Sequence, residues 1–355
     1  MIRHTSAPRT PGGANRPAAA LTGPREFQRH GHCTADLMIL NRFHALRSLA
    51  TGGMGEIFLA DDTTTGGQAV LKVLRTDVDV DDAAARFEHE IEVLRALRHP
   101  RVPQWLADGH WEGQRVVAVV FVEGMSTAEM MHGLKRAMPL STSLFLIVDV
   151  LHALHRAHSM SALDGVPRGL VHRDVSPHNI MCDARGRGHL IDFGVSTDAE
   201  FPDLKPGLLV GKVAYMAPEQ AAGFKLDARV DQFAAGVVLW EFLTGRRLFS
   251  GESDQKTWRN VLACIVPVLG PGVPPSVSAV VARMLEPNRT RRFATCEDAA
   301  QALLLAVVDV DLSADKSATE LMNEVRQSND PDVGSTMLTL LRNTLTAKMR
   351  EPRRR

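Results

Sequence analysis

The chain has 355 residues, with 41 Lys plus Arg against 41 Asp plus Glu and a formal net charge of +0 at pH 7. That balance argues against a polycation built to coat nucleic acid or an anionic membrane, and 45% hydrophobic with 23% charged residues is ordinary globular composition. The four cysteines, Cys33, Cys182, Cys264 and Cys296, lie far apart with no CxxC spacing, so reduced thiols in a cytoplasmic setting are expected rather than a disulfide framework.

Residues 1–40 read as a disordered, basic, proline-rich tail. Pro8, Pro11, Pro17 and Pro24 interrupt it, and five arginines face only Glu26 and Asp36. No apolar run of the kind that marks a secretory signal follows its basic start. Patterned sequence begins near Phe43. Apolar runs at 57–60, 69–74 and 116–122, bounded by turn signals, predict strands. Between them, Phe87, Ile91, Leu94 and Leu97 recur at helical spacing and predict a helix over 86–97. After Gly124 the pattern turns mostly helical, at 144–158, 230–243 and 299–308. The most apolar stretches, 144–150 and 261–269, are short for a membrane span, and no membrane contact is expected. Beyond 309, Ala318, Leu321, Met322 and Val325 share one helical face, and Met337, Leu338, Leu341 and Leu345 share another. They predict a partly helical extension that docks on the larger lobe or on a partner.

Several residues carry chemistry. Gly52-Gly53-Met54-Gly55 forms a glycine-rich turn whose backbone N–H groups are free to approach phosphate oxygens, although a plain glycine hairpin has the same signature. Lys72 ends an interior apolar run, where an ammonium is costly unless it meets an anion. Glu90 on the predicted helix is its candidate partner, while in isolation it reads equally as a solvated helix face. Downstream, His172-Arg173-Asp174, Asn179 and Asp192-Phe193-Gly194 supply what phosphoryl transfer needs. One carboxylate orients a hydroxyl nucleophile, and a carboxylate and an amide oxygen hold Mg²⁺ against polyphosphate. Ala217-Pro218-Glu219 follows.

In this order, these motifs resemble the eukaryotic-type (Hanks-type) protein kinases, in their bacterial serine/threonine branch. The resemblance spans about 43–305. It implies an α+β bilobal protein-kinase fold: a small β-rich N-lobe with one helix over 43–122 and a larger, mainly helical C-lobe over 125–305. It further implies ATP and Mg²⁺ as cofactors and protein serine or threonine hydroxyls as acceptors. Lys72, paired with Glu90, is implied to hold the phosphates, Asp174 to act as base, and Asn179 and Asp192 to bind Mg²⁺. Leu49, Gly52, Gly53, Gly55, Ile57, Val70, Lys72, Val120, Val122 and Met181 are implied to contact ATP, with small Val119 opening a back pocket. Leu94, Trp105, His172 and Phe193 are implied to align the lobes, Glu219 to pair with Arg292, and Asp231 to anchor the catalytic loop. No nucleic-acid partner is implied.

The sequence departs from the family in three places. Ala50 stands where the phosphate loop has its first glycine. Ser176 replaces the catalytic-loop lysine, and a serine does not neutralise charge developing on the transferred phosphoryl group. Lys212 replaces the threonine that touches that lysine in the family, so the cation is expected to have moved from one loop to the other, making Lys212 a catalytic candidate. Between Gly194 and Gly211 the only hydroxyl residues are Ser196 and Thr197, which predicts activity without activation-loop phosphorylation. These departures also leave open a pseudokinase scaffold that binds nucleotide without transfer. His152, His155 and His158 read as one partly exposed helix face, and Cys182 as a buried structural thiol.

Overall fold

The structure, a computed structural model, describes residues 37–52, 55–74, 80–160, 169–193, 197–198 and 213–328. A six-stranded antiparallel sheet of order β1-β2-β3-β4-β6-β5 forms the N-lobe, from β1 (Met38–Ile39), β2 (Phe43–Gly52), β3 (Gly55–Asp62), β4 (Gln68–Leu74), β5 (Trp105–Trp111) and β6 (Gln114–Val120). Period-two alternation orients β4. Ala69, Leu71 and Val73 are buried in the sheet core, which leaves Val70 and Lys72 together on the opposite face. The expected tail loses its last residues to this sheet. Ile39 pairs with Phe43 and is fully buried, because one apolar side chain completes the core cluster of Phe43, Phe58 and Leu71.

The N-lobe helix α1 (Val80–Ala96) begins earlier than its apolar repeat suggested. Phe87, Ile91 and Leu94 form its buried stripe, and Glu90 lies on that stripe, 5% exposed, so it is not on a solvated face.

The C-lobe follows through β7 (Gly124–Ser126), α2 (Thr127–Leu134), α3 (Leu140–His158), β8 (Leu170–Val171), β9 (Ile180–Asp183), β10 (Gly188–Leu190) and β11 (Thr197–Asp198). It continues with α4 (Pro218–Ala221), α5 (Arg229–Thr244), α6 (Asp254–Ala263), α7 (Pro275–Met284), α8 (Cys296–Leu305) and α9 (Ala318–Gln327). Helix α5 is apolar nearly all round and correspondingly buried from Val230 to Leu243, the central pillar of the lobe. By length and composition α3 is apolar enough to cross a membrane, which its 144–150 run alone did not suggest; 72% of that window is buried inside the lobe, as in a core helix. Helix α9 buries the face anticipated for it, Ala318, Leu321, Met322 and Val325, and packs on α2. The compact chain therefore runs past 305. The second expected helical pattern, around 337–345, lies outside the described residues.

Candidate active site

A cleft between the lobes is lined above by Ile57, Val70 and Lys72, behind by Glu90, Leu94 and Val119, along one edge by Val120 and Val122, and below by Met181, Asp192 and Phe193. It continues past Val119 to Pro103 and Val117. Gly52 and Gly55 pair at the tip of the β2–β3 hairpin, and a Cβ on Gly55 would lie 2.2 Å from the Val73 carbonyl oxygen, so only glycine fits that close crossing. Leu49 is buried with Ala50, Ile57 and Leu59 in a small cluster. Gly53, Met54 and Lys212 lie outside the described residues.

Lys72 reaches from β4 to α1, its ammonium 2.6 Å from one Glu90 oxygen and 2.9 Å from the other, with Asp192 at 3.6 Å. Burial alone would lower the Lys72 pKa, but the two carboxylates outweigh it and hold the ammonium above its usual range. The two motif elements that sequence left 102 residues apart are thus brought to one cation. Asp192 adopts φ 64 and Arg173 φ 65, a left-handed conformation that few non-glycine residues keep without support. Asp231 on α5 supports the second. Its carboxylate accepts the backbone N–H of His172 and of Arg173, each at 2.8 Å.

Asp174 and Asn179 face each other across a short 3₁₀ turn, Pro177–Asn179. The Asn179 amide donates to the Asp174 carboxylate and to its backbone carbonyl, both at 2.8 Å. This uses the amide nitrogen and leaves the Asn179 side-chain oxygen as an acceptor. With the Asp192 carboxylate it makes a pair of hard oxygen donors, which fits Mg²⁺ completed by phosphate and water oxygens. Among the described residues no group of three or more His, Cys, Asp or Glu is placed to cage a metal.

The supporting pairs fall where the motifs implied. Glu219 and Arg292 form a two-pronged bond at 2.7 and 2.8 Å inside the C-lobe. The His172 and Phe193 rings meet edge to face with centroids 4.7 Å apart, while Leu94 and Trp105 pack in the same core. Cys182 is fully buried, its thiol pushed up to about 12 by burial.

His152, His155 and His158 are all partly exposed as expected, but His158 also has a partner, its ring nitrogen lying 2.8 Å from Asp231. The regular three-residue spacing gave no signal of that contact. Two further contacts had no sequence signal. The Thr127 hydroxyl donates to the Pro177 carbonyl at 2.8 Å. Tyr215, the chain's single tyrosine, is buried with its hydroxyl donating to Glu241 at 2.9 Å.

A lysine held between two acids, near an aspartate bonded to an asparagine, is an arrangement suited to phosphoryl transfer. The family model of the protein kinase domain matches residues 43–325, and the chain belongs to that family. Similar proteins include the tyrosine-protein kinase MasK of Myxococcus xanthus, 33% identical over 269 residues (73% of this chain, 42% of that protein). The serine/threonine-protein kinase PknF of Mycobacterium tuberculosis is 33% identical over 271 residues (74% and 55%), and PrkC of Bacillus subtilis 30% over 265 residues (73% and 40%). The chain thus spans between 40% and 55% of the length of these curated relatives.

Proposed function

We propose that the chain is an ATP-dependent serine/threonine protein kinase. The observation that carries this is the joint placement of Lys72, Glu90 and Asp192 at one end of the cleft with Asp174 bonded to Asn179 beside it. Lys72 orients the phosphates through its charge. Asp174, held by the Asn179 amide, accepts the proton of the incoming hydroxyl as that oxygen attacks the γ-phosphorus and the bond to the β-phosphate oxygen breaks. Bound at the Asn179 and Asp192 oxygens, Mg²⁺ supplies charge neutralisation of the phosphates. All of these residues are retained together, and no specific observation favours a pseudokinase scaffold.

Relatives named as serine/threonine and as tyrosine kinases leave the acceptor to be argued from this chain. Its single tyrosine is buried with its hydroxyl committed to Glu241, so autophosphorylation falls on serine and threonine. Phosphoamino-acid analysis of the autophosphorylated chain tests this: label on serine or threonine is expected, and label on tyrosine contradicts it.

Lys212 takes the place of the cation absent at Ser176, whose hydroxyl is buried without a hydrogen-bond partner. Lys212→Ala is expected to lower transfer, and Ser176→Lys to restore part of it; full activity in Lys212→Ala contradicts the exchange. Activity does not depend on phosphate within 198–211. A cytoplasmic location fits free thiols at Cys182, Cys264 and Cys296.

A further inference from the structure

Residues 309–328 lie beyond the last catalytic motif, yet they fold back along the elements that hold the cleft. The Asp315 carboxylate accepts the Ser141 backbone N–H at 2.7 Å, and the Lys316 carbonyl accepts the Thr142 hydroxyl at 3.0 Å. These contacts close the first turn of α3, whose preceding residue Pro139 supplies no side-chain cap. Helix α9 then starts with a capping box of Ser317 and Glu320. Ten residues make a marginal helix alone. What holds α9 is the burial of Ala318, Leu321, Met322 and Val325.

The helix has two seats. On α2, Val325 covers Gly133 so closely that a Cβ there would lie 2.5 Å from the Val325 Cγ1, and just past the end of α2 Glu324 pairs with Arg136 at 2.7 Å. On the turn after β9, the Thr319 hydroxyl donates to the Ala184 carbonyl at 3.2 Å, and a Cβ on Gly186 would lie 3.1 Å from the Ala318 Cβ.

Both seats lead into the site. At its other end α2 offers Thr127, whose hydroxyl bonds to the Pro177 carbonyl in the turn that ends at Asn179. The turn after β9 continues the strand that carries Met181, the floor of the cleft, and Met181 is paired with Ser126 at the start of α2. A two-turn helix transmits a displacement at one end to the other, since its hydrogen-bonded backbone leaves no soft torsion between them.

We propose that α9 is a positioning brace. By seating on α2 and on the turn after β9 together, it fixes the height of Met181 and the placement of Asn179, and so sets nucleotide affinity from outside the cleft. This rests on the kinase reading in taking the cleft as the nucleotide site, but nucleotide binding is measurable without any transfer.

The test is a wedge and its relief. Gly133→Ala drives a methyl into Val325 without touching a cleft residue, and it raises the helix propensity of α2, so unravelling of α2 does not account for its effect. Val325→Ala in the same chain removes both methyls that the wedge meets. Titration calorimetry with Mg·ATP on the full chain reads affinity, and circular dichroism confirms that each variant is folded at the assay temperature. Gly133→Ala is expected to weaken binding about fivefold, about 1 kcal/mol of binding free energy. The double variant is expected to return to within about twofold of the wild type, a recovery that general destabilisation does not produce. Leu321→Ala, which loosens the brace without adding bulk, is expected to weaken binding in the same direction. Unchanged affinity in a folded Gly133→Ala chain, or weakened affinity that Val325→Ala fails to relieve, overturns the brace. Absence of Mg·ATP binding by the wild type overturns the nucleotide reading itself.

Discussion

The Lys72 ammonium lies 2.6 Å from the Glu90 carboxylate, joining a strand of the N-lobe to its only helix among the described residues. Neither residue is comfortable alone. Lys72 lies within a strand whose alternate residues are buried, and Glu90 lies on the buried stripe of α1. Removing one member of such a pair leaves the other's charge uncompensated, and here it also frees Lys72 to close fully on Asp192, now 3.6 Å away.

Glu90→Gln is therefore expected to cost about 10²-fold in phosphotransfer, the range of a lost preorganised electrostatic contact, while the chain stays folded. The readout is the autophosphorylation rate at saturating Mg·ATP. A rate within about threefold of the wild type, far inside that range, would show that the pair is structural only.

Asp231 gives the fold an acid dependence. Burial pushes its pKa up, but the bond and charge of His158 and the bond from the His172 backbone outweigh that and hold it below the usual carboxylate range. A carboxylate depressed in the fold contributes stability above its unfolded value of about 4, and loses it as pH falls through the lower folded value. Urea midpoints are expected to drop more steeply below about pH 4 in the wild type than in Asp231→Asn, because the amide binds no proton in that window. Parallel profiles contradict this.

Two ion pairs should differ sharply. Arg292 and Glu219 are 0% and 9% exposed, whereas Arg136 and Glu324 are 45% and 39% exposed. Arg292→Ala is expected to cost about 3–5 kcal/mol in denaturant unfolding by stranding a buried carboxylate. Arg136→Ala is expected to cost about 1 kcal/mol or less. Equal costs would contradict the assignment of the Arg292–Glu219 pair as a buried strut of the C-lobe.

Thiol chemistry follows burial. Burial pushes Cys182 up to about 12 and Cys264 to about 11, and raises Cys296 as well. At pH 8, iodoacetamide followed by peptide mass mapping is expected to leave all three unmodified in the native protein and to modify all three in denaturant. Rapid labelling of native Cys182 would place it at an open position of the cleft floor.

The motif cluster was legible in the sequence because its residues are local. His172 to Asn179 is a single loop, and each motif brings its residues within a few positions. Lys72 in an apolar run makes Glu90 its candidate partner, but that Glu90 lies on the buried stripe of α1 rather than a solvated face is visible only in the structure. What sequence hid is long-range. Ile39 enters the sheet core from the apolar run Leu37-Met38-Ile39-Leu40, which is short and adjoins the proline- and arginine-rich stretch before it, so it reads as the end of the tail. His158 meets Asp231 from 73 residues away. The helical face of α9 was legible, but its seat against Gly133 was not, because a glycine in α2 shows its purpose only when Val325 is packed over it.

The central claim is that Asp174, oriented by Asn179, does chemistry in a cleft that binds ATP. Transfer of labelled γ-phosphate from Mg·ATP, measured beside Mg·ATP affinity for the wild type and for Asp174→Asn, tests it most directly. The account predicts transfer by the wild type, a loss of about 10³-fold in Asp174→Asn as expected for removal of a general base, and nucleotide affinity changed by no more than about threefold. Full transfer by Asp174→Asn, or a wild type that binds ATP and transfers nothing, would contradict it.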